Sequence, residues 1–376
     1  MTQPTPRHDV QDVIRLCREL LAIRSTTGDF VGLGQALQLV TDYLQDTPGL
    51  FLRRYEQNGS PSVVALTHDT LKPDLLLMGH VDVVPGRDDQ FLPAEREGKL
   101  FGRGACDMKS GIAAMAWLWK ILAAEHKDLS VALMLTSDEE TGGHNGTRHL
   151  IEDIGYRPMF AIIPDGGNGP DDVIVENKGL LQLRLTAHGK AAHASRPWEG
   201  INAAEQMMLA VQRIKSLFTE PSATVWSDTC TPTTFSGGNG SNQVPESAAC
   251  TLDIRVTAQT RQDDLLEQIR TAAVPCDVEL LLRGDSSQTP QSHPLLQAYA
   301  KLVPKYFGKQ ASFNRTPGGN DGRFLSPLGV PLLIVRPPAG GLHGPEEWVD
   351  IKGLEDYALL MLDYSISIIP DLKNMT

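Results

Sequence analysis

Three short, wholly apolar runs, each halted by a turn former or by charge, frame this chain. Leu75-Leu76-Leu77-Met78 is stopped by Gly79, Val131-Ala132-Leu133-Met134-Leu135 by Ser137-Asp138-Glu139-Glu140, and Phe160-Ala161-Ile162-Ile163 by Pro164. Continuous runs of that length suit strands buried on both faces. Between the first two, Ser110 to Glu125 is rich in Ala, Met and Leu and reads as a helix. An amphipathic helix is expected over Val10 to Leu21, with Asp9 placed to cap it. Strands alternating with helices predict an α/β sheet with helices covering it. Ligands collect at the carboxyl ends of strands in such sheets, which is where the polar clusters fall.

From about Leu180 the pattern changes to alternation, in Leu181-Gln182-Leu183-Arg184-Leu185-Thr186-Ala187 and again in Ala249-Cys250-Thr251-Leu252-Asp253-Ile254-Arg255-Val256. Helical stretches at Ala203 to Phe218 and Gln262 to Ala273 accompany them. This is the signature of an α+β module with one wet sheet face or edge. The chain turns polar over Asp285 to Pro290 and returns to an apolar helix at Pro294 to Tyr306. We therefore expect a main domain of residues 1–178 and 293–376, with residues 179–292 inserted as a lid or dimerisation domain. The length of 376 residues is consistent with two cores.

Composition narrows the function classes. A net charge of −12 argues against nucleic acid or an anionic membrane as partner. No run approaches the roughly 18 apolar residues of a membrane span. Met1 to Asp9 shows no apolar signal core, so a cytoplasmic location is the expectation. Five cysteines, Cys17, Cys106, Cys230, Cys250 and Cys276, show no CxxC spacing and favour reduced thiols over a disulfide framework.

The chemistry lies in the residues that follow the strands. His80 stands in Met78-Gly79-His80-Val81-Asp82, where Asp82 could accept a hydrogen bond from the second ring nitrogen. Alone, such a histidine is more often a cap or a core residue. Asp107 follows the Gly-rich turn Gly102-Arg103-Gly104-Ala105-Cys106, where a carboxylate can either bridge two metals or cap the helix, and Lys109 could pair with it structurally. Glu139 and Glu140 are adjacent, so one can bind metal while the other moves a proton. Asp165 and His343 complete a set of histidines and carboxylates suited to a pair of divalent ions.

These motifs resemble the di-zinc peptidase and deacylase family that includes succinyl-diaminopimelate desuccinylase, acetylornithine deacetylase, bacterial glutamate carboxypeptidase, aminoacylase and several dipeptidases. The resemblance spans nearly the whole chain in family order: His80-Val81-Asp82, Gly102 to Lys109, Asp138-Glu139-Glu140, Gly189 to His193, and the late His343. It implies a mixed-sheet catalytic domain with an inserted α+β domain and two zinc ions, manganese or cobalt being possible replacements. His80 and Asp165 would bind one ion, Glu140 and His343 the other, and Asp107 both. Glu139 would be general base and acid, Asp82 would orient His80, and the Asp107-Met108 peptide would be cis. His193 would stabilise the oxyanion, often across a homodimer. Lys178, Asn242, Arg255, Gly319 and Asn320 match positions that hold the substrate, Arg255 being readable equally as a surface strand residue and Asn320-Asp321 as a turn pair.

Two departures bear on the substrate. Asp165 stands where desuccinylases and acetylornithine deacetylases usually have Glu, as in the family's aminopeptidases and dipeptidases. Asn177-Lys178 replaces the paired arginines of desuccinylases, and a lone ammonium lacks the bidentate fork. The resemblance and its departures together imply an enzyme that hydrolyses amide bonds of short peptides, as an aminopeptidase or dipeptidase. A deacylase of N-acyl amino acids is the alternative, and a binding protein on the same scaffold a third. A homodimer paired along the edge of the sheet containing Leu181 to Ala187 is expected from the same resemblance.

Overall fold

The computed structural model describes residues 9–374. The segment Met1 to His8, read above for a signal core, lies outside the described residues. The chain divides into two compact units. One comprises Met1–Val175, Gln288–Thr316 and Asn320–Thr376, the other Glu176–Ser287 and Pro317–Gly319. The joins at 175/176 and 287/288 fall inside the strands Asp172–Asn177 and Ser287–Gln288, whereas the sequence pattern suggests 178/179 and 292/293. A strand running through a boundary leaves no mark in composition.

In chain order the strands are β1 (Phe51–Gln57), β2 (Ser60–Leu66), β3 (Leu75–His80), β4 (Ala94–Arg96), β5 (Lys99–Phe101), β6 (Val131–Thr136), β7 (Phe160–Ile163) and β8 (Asp172–Asn177). There follow β9 (Gly179–His188), β10 (Thr229–Gly237), β11 (Ser247–Val256), β12 (Asp277–Gly284), β13 (Ser287–Gln288), β14 (Ser312–Thr316), β15 (Leu332–Ile334), β16 (Ala339–Gly340) and β17 (Trp348–Asp350). The helices are α1 (Gln11–Leu21), α2 (Phe30–Leu44), α3 (Lys109–Glu125), α4 (Ala203–Lys215), α5 (Gln262–Ala273), α6 (Pro294–Phe307) and α7 (Ile351–Asn374).

The nine-stranded sheet runs β1-β2-β6-β3-β7-β15-β8-β13, with β14 against β8, and is mixed as expected. Side chains of β3, β6 and β7 alternate between two dry layers. Leu75, Leu77, Leu133, Phe160 and Ile162 pack with residues of α1, α2, α3, α6 and α7. Leu76, Met78, Met134, Ala161 and Ile163 pack on the other side with Leu150, Ile151, Tyr156 and Leu325. Each fully buried Leu or Ile contributes roughly 1.5–3 kcal/mol, which is why these runs carry no polar residue until they end. α3 is buried along almost its whole length and is accordingly apolar nearly all round. Asn58 and Gly59, with φ of 49° and 83°, close the β1-β2 hairpin, a turn for which Asn-Gly is the strongest sequence signal. A smaller sheet, β16-β17-β5-β4, also belongs to this unit.

In the second unit an antiparallel sheet runs β10-β11-β9-β12, so its edges are β10 and β12. Leu181, Leu183, Leu185 and Ala187 point to one face and pack with Met207, Ala210 and Ile214 of α4 and Leu266 and Ile269 of α5. Gln182, Arg184 and Thr186 occupy the alternate positions of β9. Asn202 caps α4, its side chain accepting from the amides of Ala204 and Glu205. All five cysteines are free and buried, Cys17 and Cys106 in the first unit and Cys230, Cys250 and Cys276 in the second. Among the described residues no helix is long and apolar enough to cross a membrane.

Candidate metal centre

β3 is parallel to β6 and β7, and β7 to β15, so the carboxyl ends of these four strands share one edge of the sheet. Each end delivers charge there. β3 finishes on His80, Glu139 and Glu140 follow β6 in a short 3-10 turn, Asp165 follows β7 after Pro164, and Arg336 follows β15.

Asp107 arrives from the Gly-rich turn before α3. Gly104 there has φ of 89°, and a Cβ at that position would lie 2.8 Å from the Lys109 side chain, so a larger residue does not fit. The Asp107-Met108 peptide is cis. The carboxylate is not a helix cap, since Met108 holds the N-cap position and no side chain caps α3. Its two oxygens instead face two histidines: Oδ1 lies 3.1 Å from His80 Nε2, and Oδ2 lies 3.2 Å from His343 Nε2. Lys109 does not pair with it either. Its buried ammonium donates to the carbonyls of Leu20 and Ile23 at 3.0 and 2.7 Å, tying α1 to this turn, and burial pulls its pKa down to about 7.

His343 Nε2 also lies 3.3 Å from Glu140 Oε1. Two overlapping groups of ligand atoms result, each lying within 4.8 Å of one another: His80, Asp107 and Asp165, and Asp107, Glu140 and His343. Each could hold one cation, with Asp107 common to both. Glu139 is in neither group but flanks them, its Oε2 3.9 Å from His80 Nε2.

Asp82 is buried, and its hydrogen bonds reach beyond His80. His80 Nδ1 lies 3.0 Å from the Asp82 main-chain carbonyl and 3.4 Å from its carboxylate. That carboxylate accepts from the amides of Glu139 and Glu140 at 3.2 and 3.1 Å and from Thr27 Oγ1 at 2.9 Å. Asp138 holds the other end of the same loop, accepting from the amides of Asn145 and Gly146. Asn320 braces Asp165, donating to its carbonyl at 2.9 Å.

Carboxylates outnumber cationic side chains here, and their protonation reflects it. Burial, reinforced by the Asp107 charge, pushes Asp165 up to about 7. Burial likewise raises Glu139 well above the usual carboxylate range. Burial would raise Asp107 too, but hydrogen bonds from His343 and His80 hold it far below that range. His343 is pushed up to about 10 by its hydrogen bonds to Asp107 and Glu140. Such a site favours added positive charge.

The remaining expected residues belong to the second unit, except Asn320. His193 is exposed, with Nδ1 2.7 Å from Ser195 Oγ, and forms an isolated β-bridge with Gln243. The neighbouring Asn242 carbonyl accepts from the Ala194 amide. Arg255 forms a two-pronged pair with Asp253. Lys178 is buried, donates to the Ser227 carbonyl at 2.6 Å and stands over the Trp226 ring. Asn177 joins Gly318, next to Gly319, through a 2.7 Å bond to its carbonyl.

Two buried residues near the cluster escaped the sequence reading. Arg336 bonds Cys106 Sγ at 2.9 Å and Asp165 at 3.3 Å. It ends the apolar run Leu332-Leu333-Ile334-Val335, the same signal that marked His80 and Glu139. Glu347 lies beneath the Gly-rich turn, and nothing local in the sequence marks it.

Residues 76–365 match Peptidase family M20/M25/M40. A succinyl-diaminopimelate desuccinylase of Bordetella petrii is 30% identical over 381 residues, covering 91% of this chain and 94% of that protein. The aminopeptidase PepT of Bacillus cereus has a similar fold, with a TM-score of 0.78 at 17% identity over 95% of this chain and 98% of that one. A dinuclear metal-binding peptidase of Bacillus subtilis gives 0.70 at 13% identity, over 95% of this chain and 98% of that one. At those identities the two structures speak for the fold. The match runs from ahead of His80 to beyond His343, and the chain belongs to Peptidase family M20/M25/M40, a family of hydrolases.

Proposed function

We propose that the chain hydrolyses the amide bond of short peptides, as an aminopeptidase or dipeptidase, with a pair of divalent cations, zinc foremost and manganese or cobalt as replacements. His80 and Asp165 would hold one, Glu140 and His343 the other, and Asp107 both. The donor set fits, because imidazole nitrogen and carboxylate oxygen suit these ions and carboxyl groups outnumber permanently cationic side chains in the buried cluster. Cations bound there supply Lewis-acid polarisation of the scissile carbonyl and acidify water. Glu139 takes the proton of the attacking water and returns it to the leaving nitrogen. Asp82 fixes the backbone of Glu139 and Glu140, which keeps proton transfer and ligation on separate side chains. His193 is assigned to the developing oxyanion and, in a homodimer, acts across subunits. A fully active monomer in sedimentation would remove that last role.

The observation that carries this reading is Asp107, whose two oxygens face His80 and His343 separately. The preference for peptides is supported by Lys178, whose ammonium is already held by Ser227 and Trp226 at the place where an arginine pair would grip an acyl carboxylate. A second reading, deacylation of N-acyl amino acids, is favoured by the 30% identity to a desuccinylase over almost its whole length. Amine release from free-amine dipeptides, measured beside N-succinyl-diaminopimelate and N-acetylornithine with the zinc-loaded protein, separates the two. Turnover confined to dipeptides supports the first, and turnover confined to the acylated substrates replaces it with the second.

A further inference from the structure

Glu347 contacts no ligand side chain, yet the residue is 2% exposed and its carboxylate is fully engaged. Oε2 accepts from Arg103 Nη1 at 2.7 Å and from the Gly104 amide at 3.0 Å. Oε1 accepts from the amides of Cys106 and Asp107, both at 2.9 Å. The main chain repeats the link, the Gly102 amide donating to the Glu347 carbonyl at 3.0 Å. Three amides of the turn that presents Asp107 therefore converge on one side chain.

Arg103 carries the connection back to the other ligand segment. Its Nη2 donates to the carbonyls of His343 and Gly344 at 3.4 and 3.2 Å, and Gln90 Nε2 adds bonds to the carbonyls of Gly344 and Pro345 at 3.1 and 3.2 Å. That segment needs holding, because His343 has φ of 57°, a left-handed conformation that residues other than glycine seldom adopt unless their surroundings impose it.

We infer that Glu347 is a positioning residue for the cation pair: it fixes the Asp107 turn directly and the His343 loop through Arg103, and so sets cation affinity without being a ligand. The inference rests on the ligand assignment proposed above. A carboxylate is the one side chain of this size that only accepts, so it satisfies all four donors at once. The amide of Gln has the same shape but turns an NH2 group toward donors, leaving some of them buried without an acceptor and Arg103 without its counter-charge. The Asp107 turn and the His343 loop then lose their common anchor.

The test titrates metal-stripped protein with zinc by calorimetry, comparing the parent, Glu347→Gln and, as a control for general destabilisation, Leu372→Ala in the buried face of α7. Far-UV circular dichroism first establishes that each is folded. Glu347→Gln is expected to bind zinc roughly 10–100-fold more weakly, the usual effect of losing a residue that orients ligands. Its turnover at limiting zinc should fall with KM unchanged and recover in excess zinc, while Leu372→Ala keeps the parental affinity. Parental affinity in folded Glu347→Gln overturns the inference, as does an equal loss in Leu372→Ala. If the parent itself binds no zinc, the ligand assignment fails and the inference with it. Should Glu347→Gln not fold, Arg103→Lys, which keeps the charge but loses the fork to His343 and Gly344, must show the same loss in smaller measure; parental affinity there is equally fatal.

Discussion

In the large sheet, successive residues of β3, β6 and β7 enter opposite layers and both layers are dry, whereas in the β9 to β12 sheet every second residue of the central strands is polar or only half-buried. The contrast decides where chemistry can gather. A strand buried on both faces has room for polar groups only where it stops, so parallel strands that stop together pool their charge at one edge. A half-wet strand distributes its polar residues along its length, as Gln182, Arg184 and Thr186 show. Both groups of candidate ligands found among the described residues lie in the unit with the dry sheet.

The largest expected effect probes the pooled edge. Glu139→Ala should lower kcat by about 10²–10⁴-fold, the usual worth of a positioned general base, with cation content by metal analysis equal to that of the parent. Normal turnover would take proton transfer away from Glu139. His343→Ala should lose bound cation instead, and an unchanged metal-to-protein ratio would remove His343 from the ligand set. Within the dry sheet, Leu77→Ala should cost about 2–5 kcal/mol in denaturant unfolding, since neither layer can refill the gap. Asn202→Ala, at the cap of α4 in the second unit, should cost about 1 kcal/mol. Arg184→Gln, on the wet face of β9, should stay within about 0.5 kcal/mol of the parent. A loss there as large as that of Leu77→Ala would mean that this face is covered, and the contrast between the sheets would fall.

The same contrast explains what the sequence could show. His80, Glu139, Glu140 and Asp165 were visible because a dry strand must end abruptly, and Arg336 carried the same mark after Leu332 to Val335. The bounds of β7 follow from an apolar run halted by Pro164, and those of α5 from helical periodicity. β10 is mostly exposed and includes Pro232, so no apolar pattern announces it. Glu347 and Arg103 act on backbone groups about 240 positions away in the chain. Hydrogen bonds to amides and carbonyls are blind to side-chain identity, and hence leave no pairing signal in one sequence. The role of Asp82 was legible only in part, because its carboxylate serves the backbone of Glu139 and Glu140 more closely than it serves the ring of His80.

The five free cysteines give the molecule a built-in clock. Burial pushes the thiols of Cys17 up to about 12 and of Cys106 and Cys230 up to about 11, so at neutral pH these thiols scarcely ionise while sequestered. An electrophilic reagent can then capture a sulfur as enclosed as that of Cys17 only during the moments when its surroundings come apart. Cys17 will time the breathing of the dry-sheet unit and Cys250, 1% exposed in the core of the other, that of its own unit, so that a single labelling experiment read by peptide mass ranks the two for looseness without any mutation being made.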